Sequence, residues 1–157
     1  MTEVELRDVE DHDLDALFEM MRDPESVRMA AFTARDPNDR AAFDAHVARL
    51  RSSSDLTFLA IVRDGELVGT VGSWVAEGER EVTYWIDRPF WGQGIAGQAL
   101  ALLIERLPAG PIHARAATDN AGSLRVLEKA GFVIIGTDTG FANARGAEIE
   151  ETILRRD

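Results

Sequence analysis

Val4, Leu6 and Val9 open the chain with charged residues interleaved, which predicts a short strand. Leu14, Leu17, Phe18 and Met21 then follow helical spacing as one apolar stripe. Asp23-Pro24 and Asp36-Pro37 each combine an N-cap residue with proline in the first helical position. The second predicts a helix with Phe43, Val47 and Leu50 on its buried face, while Met29–Thr33 between the two is apolar without clear period. Ser52–Asp55 is a turn cluster. Leu56–Arg63 and Glu66–Val75 are rich in β-formers around Asp64-Gly65, which predicts a hairpin. Glu77–Glu79 turns the chain into a third strand, Glu81–Ile86. After a glycine-rich stretch, Ile95, Ala99, Leu102 and Leu103 mark a helix that Pro108–Pro111 ends. A strand over Ile112–Ala117 follows, then a cap at Thr118 or Asp119. A helix over Asn120–Ala130, stopped by Gly131, precedes an antiparallel pair, Phe132–Ile135 and Ile149–Leu154.

This order is strand, helices, three antiparallel strands, helix, strand, helix, two strands. The strand ending at Ile86, the helix after Gly92 and the strand at Ile112 form one βαβ unit, so those two strands are expected to be parallel. The fold class is α/β (α+β): a mixed, mostly antiparallel sheet with one parallel junction.

Composition narrows the chemistry. At 157 residues, the chain fits one domain over 1–157. The absence of cysteine excludes disulfides, thiolate nucleophiles and Cys-based metal sites, and His12, His46 and His113 show no metal-ligand spacing. No metal is expected. The net charge of −11 argues against nucleic acid and anionic membranes as partners. No apolar run is long enough to span a bilayer and no leader is evident, so a cytoplasmic location is expected.

Gly92-Gln93-Gly94-Ile95-Ala96-Gly97 leads straight into a helix. Glycines at such an entry expose successive N–H groups where the helix dipole favours negative charge, which suits a phosphate or pyrophosphate. The stretch matches the dinucleotide fingerprint G-x-G-x-x-G, and Asp119 falls where a ribose-binding acid would stand, so an NAD(P)-dependent oxidoreductase is a remote alternative. Against it, Pro89-Phe90-Trp91 separates strand from glycines, and only 38 residues remain after Asp119 for further βα units. A P-loop is excluded because no Gly-Lys-Ser/Thr occurs. The plain structural alternative is a tight helix entry and nothing more.

A second motif decides between them. Asn120-Ala121-Gly122-Ser123 running to Glu128-Lys129-Ala130-Gly131-Phe132, together with Tyr84-Trp85-Ile86-Asp87 and Phe90-Trp91-Gly92-Gln93-Gly94-Ile95-Ala96, resembles the GNAT superfamily of acetyl-CoA-dependent N-acetyltransferases. Within it, the combination looks like the Rim-type branch of ribosomal-protein N-terminal acetyltransferases. The resemblance implies one GNAT-like domain with helices on both faces and a splayed parallel strand pair. It implies acetyl-CoA as co-substrate. The pantetheine arm would lie along Trp85, Ile86 and Asp87, and the pyrophosphate on Gln93, Gly94, Ile95, Ala96, Gly97 and Gln98, with Trp91 at the loop's first position. Asn120 and Ser123 would face the cofactor, Ser123 near its sulfur. Arg125 and Lys129, four apart, fit a solvated face better than a phosphate site.

The implied reaction moves an acetyl group from the thioester to a primary amine. A base is needed to keep the amine neutral, and Glu81 is the candidate; a strand N–H near Ile86 would hold the oxyanion. Many family members carry a tyrosine acid where this chain has Leu127, which leaves Ser123 or water for the thiolate. Phe32 and Phe141 are candidate lining residues of the acceptor pocket, and Asp36, Asp39 and Asp44 candidate attractors of a cationic amine. Partners are a small-molecule or peptide amine; a monomer or a homodimer fits equally. The competing reading from another class is a non-catalytic acyl-CoA-binding module of the same fold.

Overall fold

The computed structural model describes residues 3–157. Among them, seven strands form one sheet: β1 (Val4–Asp8), β2 (Thr57–Arg63), β3 (Glu66–Ala76), β4 (Glu79–Ile86), β5 (Ile112–Ala117), β6 (Val133–Ala142) and β7 (Ala147–Arg156), in the order β1-β2-β3-β4-β5-β7-β6. Every neighbour pair is antiparallel except β4 with β5. The hairpin turns are where the composition puts them. Asp64 and Gly65 both take positive φ, as do Glu77 and Gly78, the primed turn that matches strand twist.

Helices cover both faces. On one, α1 (Leu14–Arg22) and α3 (Arg40–Ser52) pack through Leu17, Met20 and Phe43 against Ala60 and Trp85, and α2 (Pro24–Ala30) lies between them in the chain. On the other, α4 (Ile95–Arg106) and α5 (Ala121–Lys129) bury Ile95, Ala99, Leu100, Leu103 and Leu127 against Leu59, Val71, Val82, Ile86 and Leu154. Leu100, not Leu102, completes the inner face of α4; Leu102 is only half-buried.

Four boundaries move for local reasons. Helix α3 begins at Arg40, because the Asp36 carboxylate accepts from the Asn38 N–H in a turn and Asp39 caps the helix through Ala42 N–H. Helix α5 is capped by Asn120, whose Oδ1 accepts from Ser123 N–H at 3.2 Å, and not by Thr118 or Asp119. Strand β4 begins at Glu79, since a two-residue turn needs only Glu77 and Gly78. The last two strands are each ten residues long rather than four and six, and only 143–146 turns between them, because pairing continues out to Ala142 with Ala147.

Candidate active site

The parallel junction holds at one end only. Strands β4 and β5 pair through Arg80 with Ile112 and Glu81 with His113, and no further. Beyond that, β4 stays with β3 up to Ile86, and β5 stays with β7 up to Ala117, so the two strands part in a V that opens toward the glycine loop. Backbone parity says which groups line it. The Asp87 N–H donates to the Val68 carbonyl at 2.8 Å. Along an antiparallel ladder the direction alternates, so the backbone of Trp85 also faces β3, and that of Tyr84 and Ile86 faces the opening. Of the two residues expected to hold an extended ligand through backbone, Ile86 faces the opening and Trp85 faces β3, as does Asp87; Tyr84 is the second residue whose backbone faces the opening. The Trp85 ring packs into the α1 face with Nε1 donating to Met20 O at 3.3 Å. The Ile86 carbonyl is partly used, accepting from Trp91 Nε1 at 2.8 Å.

The loop is built as a helix entry. Gly92 and Gly94 have φ of 75° and 77°, and Gly94 is the left-handed N-cap of α4. Gln98 is the first residue whose N–H finds an intramolecular acceptor, the Gly94 carbonyl at 3.2 Å. The N–H groups of Gln93, Gly94, Ile95, Ala96 and Gly97 have none among the described residues. Nothing lies within 4 Å of the position a side chain would take on Gly97, so the space above it is open. Such an arrangement can bind an anion. One residue that spacing does not reveal stands beside it. Arg63, at the end of β2, lies over the Phe90 ring at 5.1 Å and donates to Gln93 Oε1, and it pairs with no carboxylate among the described residues. Its sequence position offers no signal; only the turn of β2 toward the loop brings it there.

On the α5 side, Asn120 spends one side-chain acceptor on Ser123 N–H and one donor on Met29 O at 3.3 Å, which ties α5 to the end of α2. Tyr84 crosses from β4 to α5, where its Oη lies 2.6 Å from Ser123 Oγ. Burial raises the Tyr84 phenol above its usual pKa, partly offset by the Ser123 hydrogen bond. Leu127 is buried in the core.

Glu81 lies on the opposite face of β4, because side chains alternate along a strand. Its carboxylate accepts from Arg115 Nε at 3.2 Å, and Arg115 Nη1 also reaches Glu151 at 3.1 Å and Asp138 at 3.7 Å. Glu81 and Ser123 therefore do not meet; they flank the opening from its two faces. Phe32 sits on the Glu81 side with Ala31, Ala117, Ala142 and Ile149. Phe141 does not join it: Gly140 and Ala142 face Phe32, so Phe141 turns to the other face and is 60% exposed. The three aspartates are structural: Asp36 and Asp39 close local turns, and Asp44 pairs with Arg40 at 2.8 Å.

The turn between β6 and β7 straps this side together. Arg145 donates to Asp119 from both terminal nitrogens at 2.7 and 3.1 Å, and its Nε donates to Arg28 O at 2.8 Å. The guanidinium holds the Asp119 carboxyl below its ordinary pKa. Asn143 donates to Thr33 O and the Ala144 N–H to Ala31 O. Asp119 is thus a partner of Arg145 and does not point to a ribose. Among the described residues no group of three or more His, Cys, Asp or Glu is arranged to hold a metal, and no helix is long and apolar enough to cross a membrane.

A mixed α+β sheet with one splayed parallel junction, closed at its open end by a glycine-rich helix entry, is the GNAT fold. The model of the acetyltransferase (GNAT) domain family matches residues 3–133, and the chain belongs to that family of acetyltransferases. Solved structures agree on the fold. Spermidine N-acetyltransferase from Vibrio cholerae, in complex with CoA and spermine, superposes with a TM-score of 0.83 at 15% identity over 97% of this chain and 94% of that one. RimJ of Mycobacterium smegmatis, with CoA-disulfide, gives 0.80 at 23% identity over 97% and 80%. A phosphinothricin acetyltransferase from Sinorhizobium meliloti, with AcCoA, gives 0.80 at 18% identity over 98% and 87%. No curated protein matches the sequence significantly.

Proposed function

We propose that the chain, taken over 1–157 as one catalytic domain, transfers the acetyl group of acetyl-CoA to a primary amine by direct attack on the thioester. The observation that carries this reading is the V between β4 and β5, lined by the backbone of Tyr84 and the N–H of Ile86, ending at the N–H groups of residues 93–97, which have no partner among the described residues. An extended arm bearing amides fits the first, and a pyrophosphate fits the second. In this reading Gln93, Gly94, Ile95, Ala96 and Gly97 bind phosphate through backbone, with Gln98 and Trp91 framing the loop. Arg63 adds the local cation that Trp91 does not supply.

The amine approaches from the Glu81 side and the sulfur departs on the Ser123 side. Glu81 takes the amine proton directly or through a water, and Arg115 orients its carboxylate. The Ile86 N–H is the donor for the developing oxyanion. Ser123 Oγ–H faces the sulfur, and Asn120 sets the start of its helix. The run from Tyr84 to Ala96 supports kinship with the Rim-type enzymes, hence a peptide N-terminus as acceptor; a cytoplasmic location goes with it.

The test is thiol release from acetyl-CoA with three acceptors: an N-terminal peptide, spermidine and phosphinothricin. Fastest turnover of the peptide supports the Rim-type reading, and preference for either other amine replaces it. Saturable CoA binding without turnover on any of the three favours the non-catalytic module, to which the buried Leu127 lends weight.

A further inference from the structure

The chain has one tyrosine, and its hydroxyl is spent on a hydroxyl of the neighbouring helix. Tyr84 leaves β4 on the α4 and α5 side and spans the mouth of the V. Its Oη lies 2.6 Å from Ser123 Oγ and 3.4 Å from Ser123 O. A serine hydroxyl has one proton and two acceptor lone pairs. The geometry allows either hydroxyl to donate; the phenol is the stronger acid and the Ser123 carbonyl is the more distant acceptor, which favours Tyr84 as the donor in the short bond. Ser123 then accepts on one lone pair, and its single proton stays free to point elsewhere. Without Tyr84, the rotor would be free to donate to any acceptor within reach, its own helix included. Buried on the core side, the phenol is raised in pKa and keeps its proton at rest.

We propose that Tyr84 is a positioning residue for the departure of the thiolate: it donates to Ser123 Oγ and so aims the Ser123 proton at the leaving sulfur. The inference rests on the transferase reading above. The amine nitrogen bonds to the acetyl carbon, and the C–S bond breaks with its electron pair on sulfur. As Ser123 loses its proton to that sulfur, the Tyr84 proton follows onto Ser123 Oγ across the short hydrogen bond. The proton lost by the amine nitrogen restores the pair through solvent, and Tyr84 is not oxidised. The position of a tyrosine on α5 is filled by buried Leu127, so Tyr84 acts through Ser123 and does not act on sulfur itself.

The experiment is a double-mutant cycle on Tyr84→Phe and Ser123→Ala in the full chain. Turnover is followed with acetyl-CoA and the fastest of the three acceptors, CoA binding is followed by calorimetry, and melting checks the fold. Tyr84→Phe removes one oxygen and no packing. It is expected to lower kcat about tenfold with the KM for acetyl-CoA within about twofold of the parent. Ser123→Ala is expected to lower kcat more, and Tyr84→Phe added to it should change nothing further. A Tyr84→Phe enzyme with parental kcat overturns the proposal. So does a tenfold loss that persists in the Ser123→Ala background, because Tyr84 would then act by another route, or a loss confined to KM. Failure of the parent chain to bind CoA, or to turn over any of the three amines, overturns the transferase reading instead.

Discussion

Gly69→Ala tests the backbone that shapes the site. Gly69 lies where β3 changes register against β2, between the pairs Ile61–Gly69 and Val62–Leu67, with Val68 left over as a bulge. An added Cβ at Gly69 would meet the Trp85 carbonyl oxygen at 2.0 Å, its carbon at 3.1 Å and Ile86 Cα at 3.2 Å. The contact is about 1 Å closer than the closest approach real Cβ atoms tolerate, and each partner is backbone, so no side chain can swing aside. Strand β4 itself must move. Overpacking of this kind costs about 2 kcal/mol, which for a chain of this length lowers Tm by roughly 4–8 °C. The displaced peptide lies between Tyr84 and Ile86, so CoA affinity should fall by about tenfold or more as well. Melting followed by circular dichroism and calorimetry with CoA read the two effects. Gly136→Ala is the control, since nothing lies within 4 Å of its added Cβ. A Gly69→Ala protein that melts with the control and binds CoA like the parent would refute the argument.

Three further outcomes are expected. Arg63→Ala should weaken CoA binding by roughly 1–2 kcal/mol with a shallower salt dependence, leaving Tm nearly unchanged, and Arg63→Lys should recover part of the loss; calorimetry at two ionic strengths checks it. Glu81→Gln should lower kcat by about a hundredfold and move the pH–rate profile toward alkaline values, where the amine is already neutral; an unaltered profile removes Glu81 from the mechanism. Asp13 is buried and accepts from both Arg7 terminal nitrogens, at 2.7 and 2.9 Å, and from the Glu10 N–H at 2.8 Å. The Arg7 hydrogen bonds hold its pKa below the ordinary carboxylate value. A depressed carboxyl stabilises the fold fully above its unfolded pKa of about 4 and loses that stabilisation as pH falls through the folded value. Asp13→Asn should therefore cost about 2 kcal/mol at pH 7 in urea melts, with the gap to the parent closing below about pH 4.

What the sequence made legible is what short-range periodicity and local turn chemistry determine. Asp64-Gly65 and Glu77-Gly78 announce their hairpins, the glycines announce the α4 entry, and the strand–helix–strand unit around them forces the parallel junction. The misses arise where two local solutions compete or where the partner is remote. Asp36 and Asp39 both offer a cap, and only the turn at Asn38 selects the second. Thr118 is diverted to Thr152 and Asp119 to Arg145, 34 and 26 residues away, which leaves the cap to Asn120. Strands β6 and β7 run longer than their apolar pattern, which Gly136, Thr137, Asp138 and Thr139 break; pairing of β6 with β7 through Ala142 holds these residues extended nonetheless. The facing of Phe141 follows from the same extension, since strand alternation reaches it only because β6 continues to Ala142. Arg63 and Arg115 were invisible: each is one of many arginines until the sheet brings a ring or a carboxylate beside it.

The V between β4 and β5 also gives a reason to expect an extended polar ligand that does not depend on kinship. Strand β5 has committed its other edge to β7, and β4 its other edge to β3, so each keeps one edge with unpaired backbone toward the gap. Pairing to close the gap is prevented at the top, where Ile86 O is claimed by Trp91 and α4 must start from Gly94. Exposed strand edges inside a sheet are a liability: they invite a strand from another chain and leave backbone groups dependent on water. A ligand arm that carries amides and is too narrow to be a polypeptide strand satisfies Tyr84 and Ile86 without filling the space the Tyr84–Ser123 bridge spans. The same open edge would accept an N–H or C=O from many molecules. The N–H groups at residues 93–97, which have no partner among the described residues, favour one that also carries an anionic group.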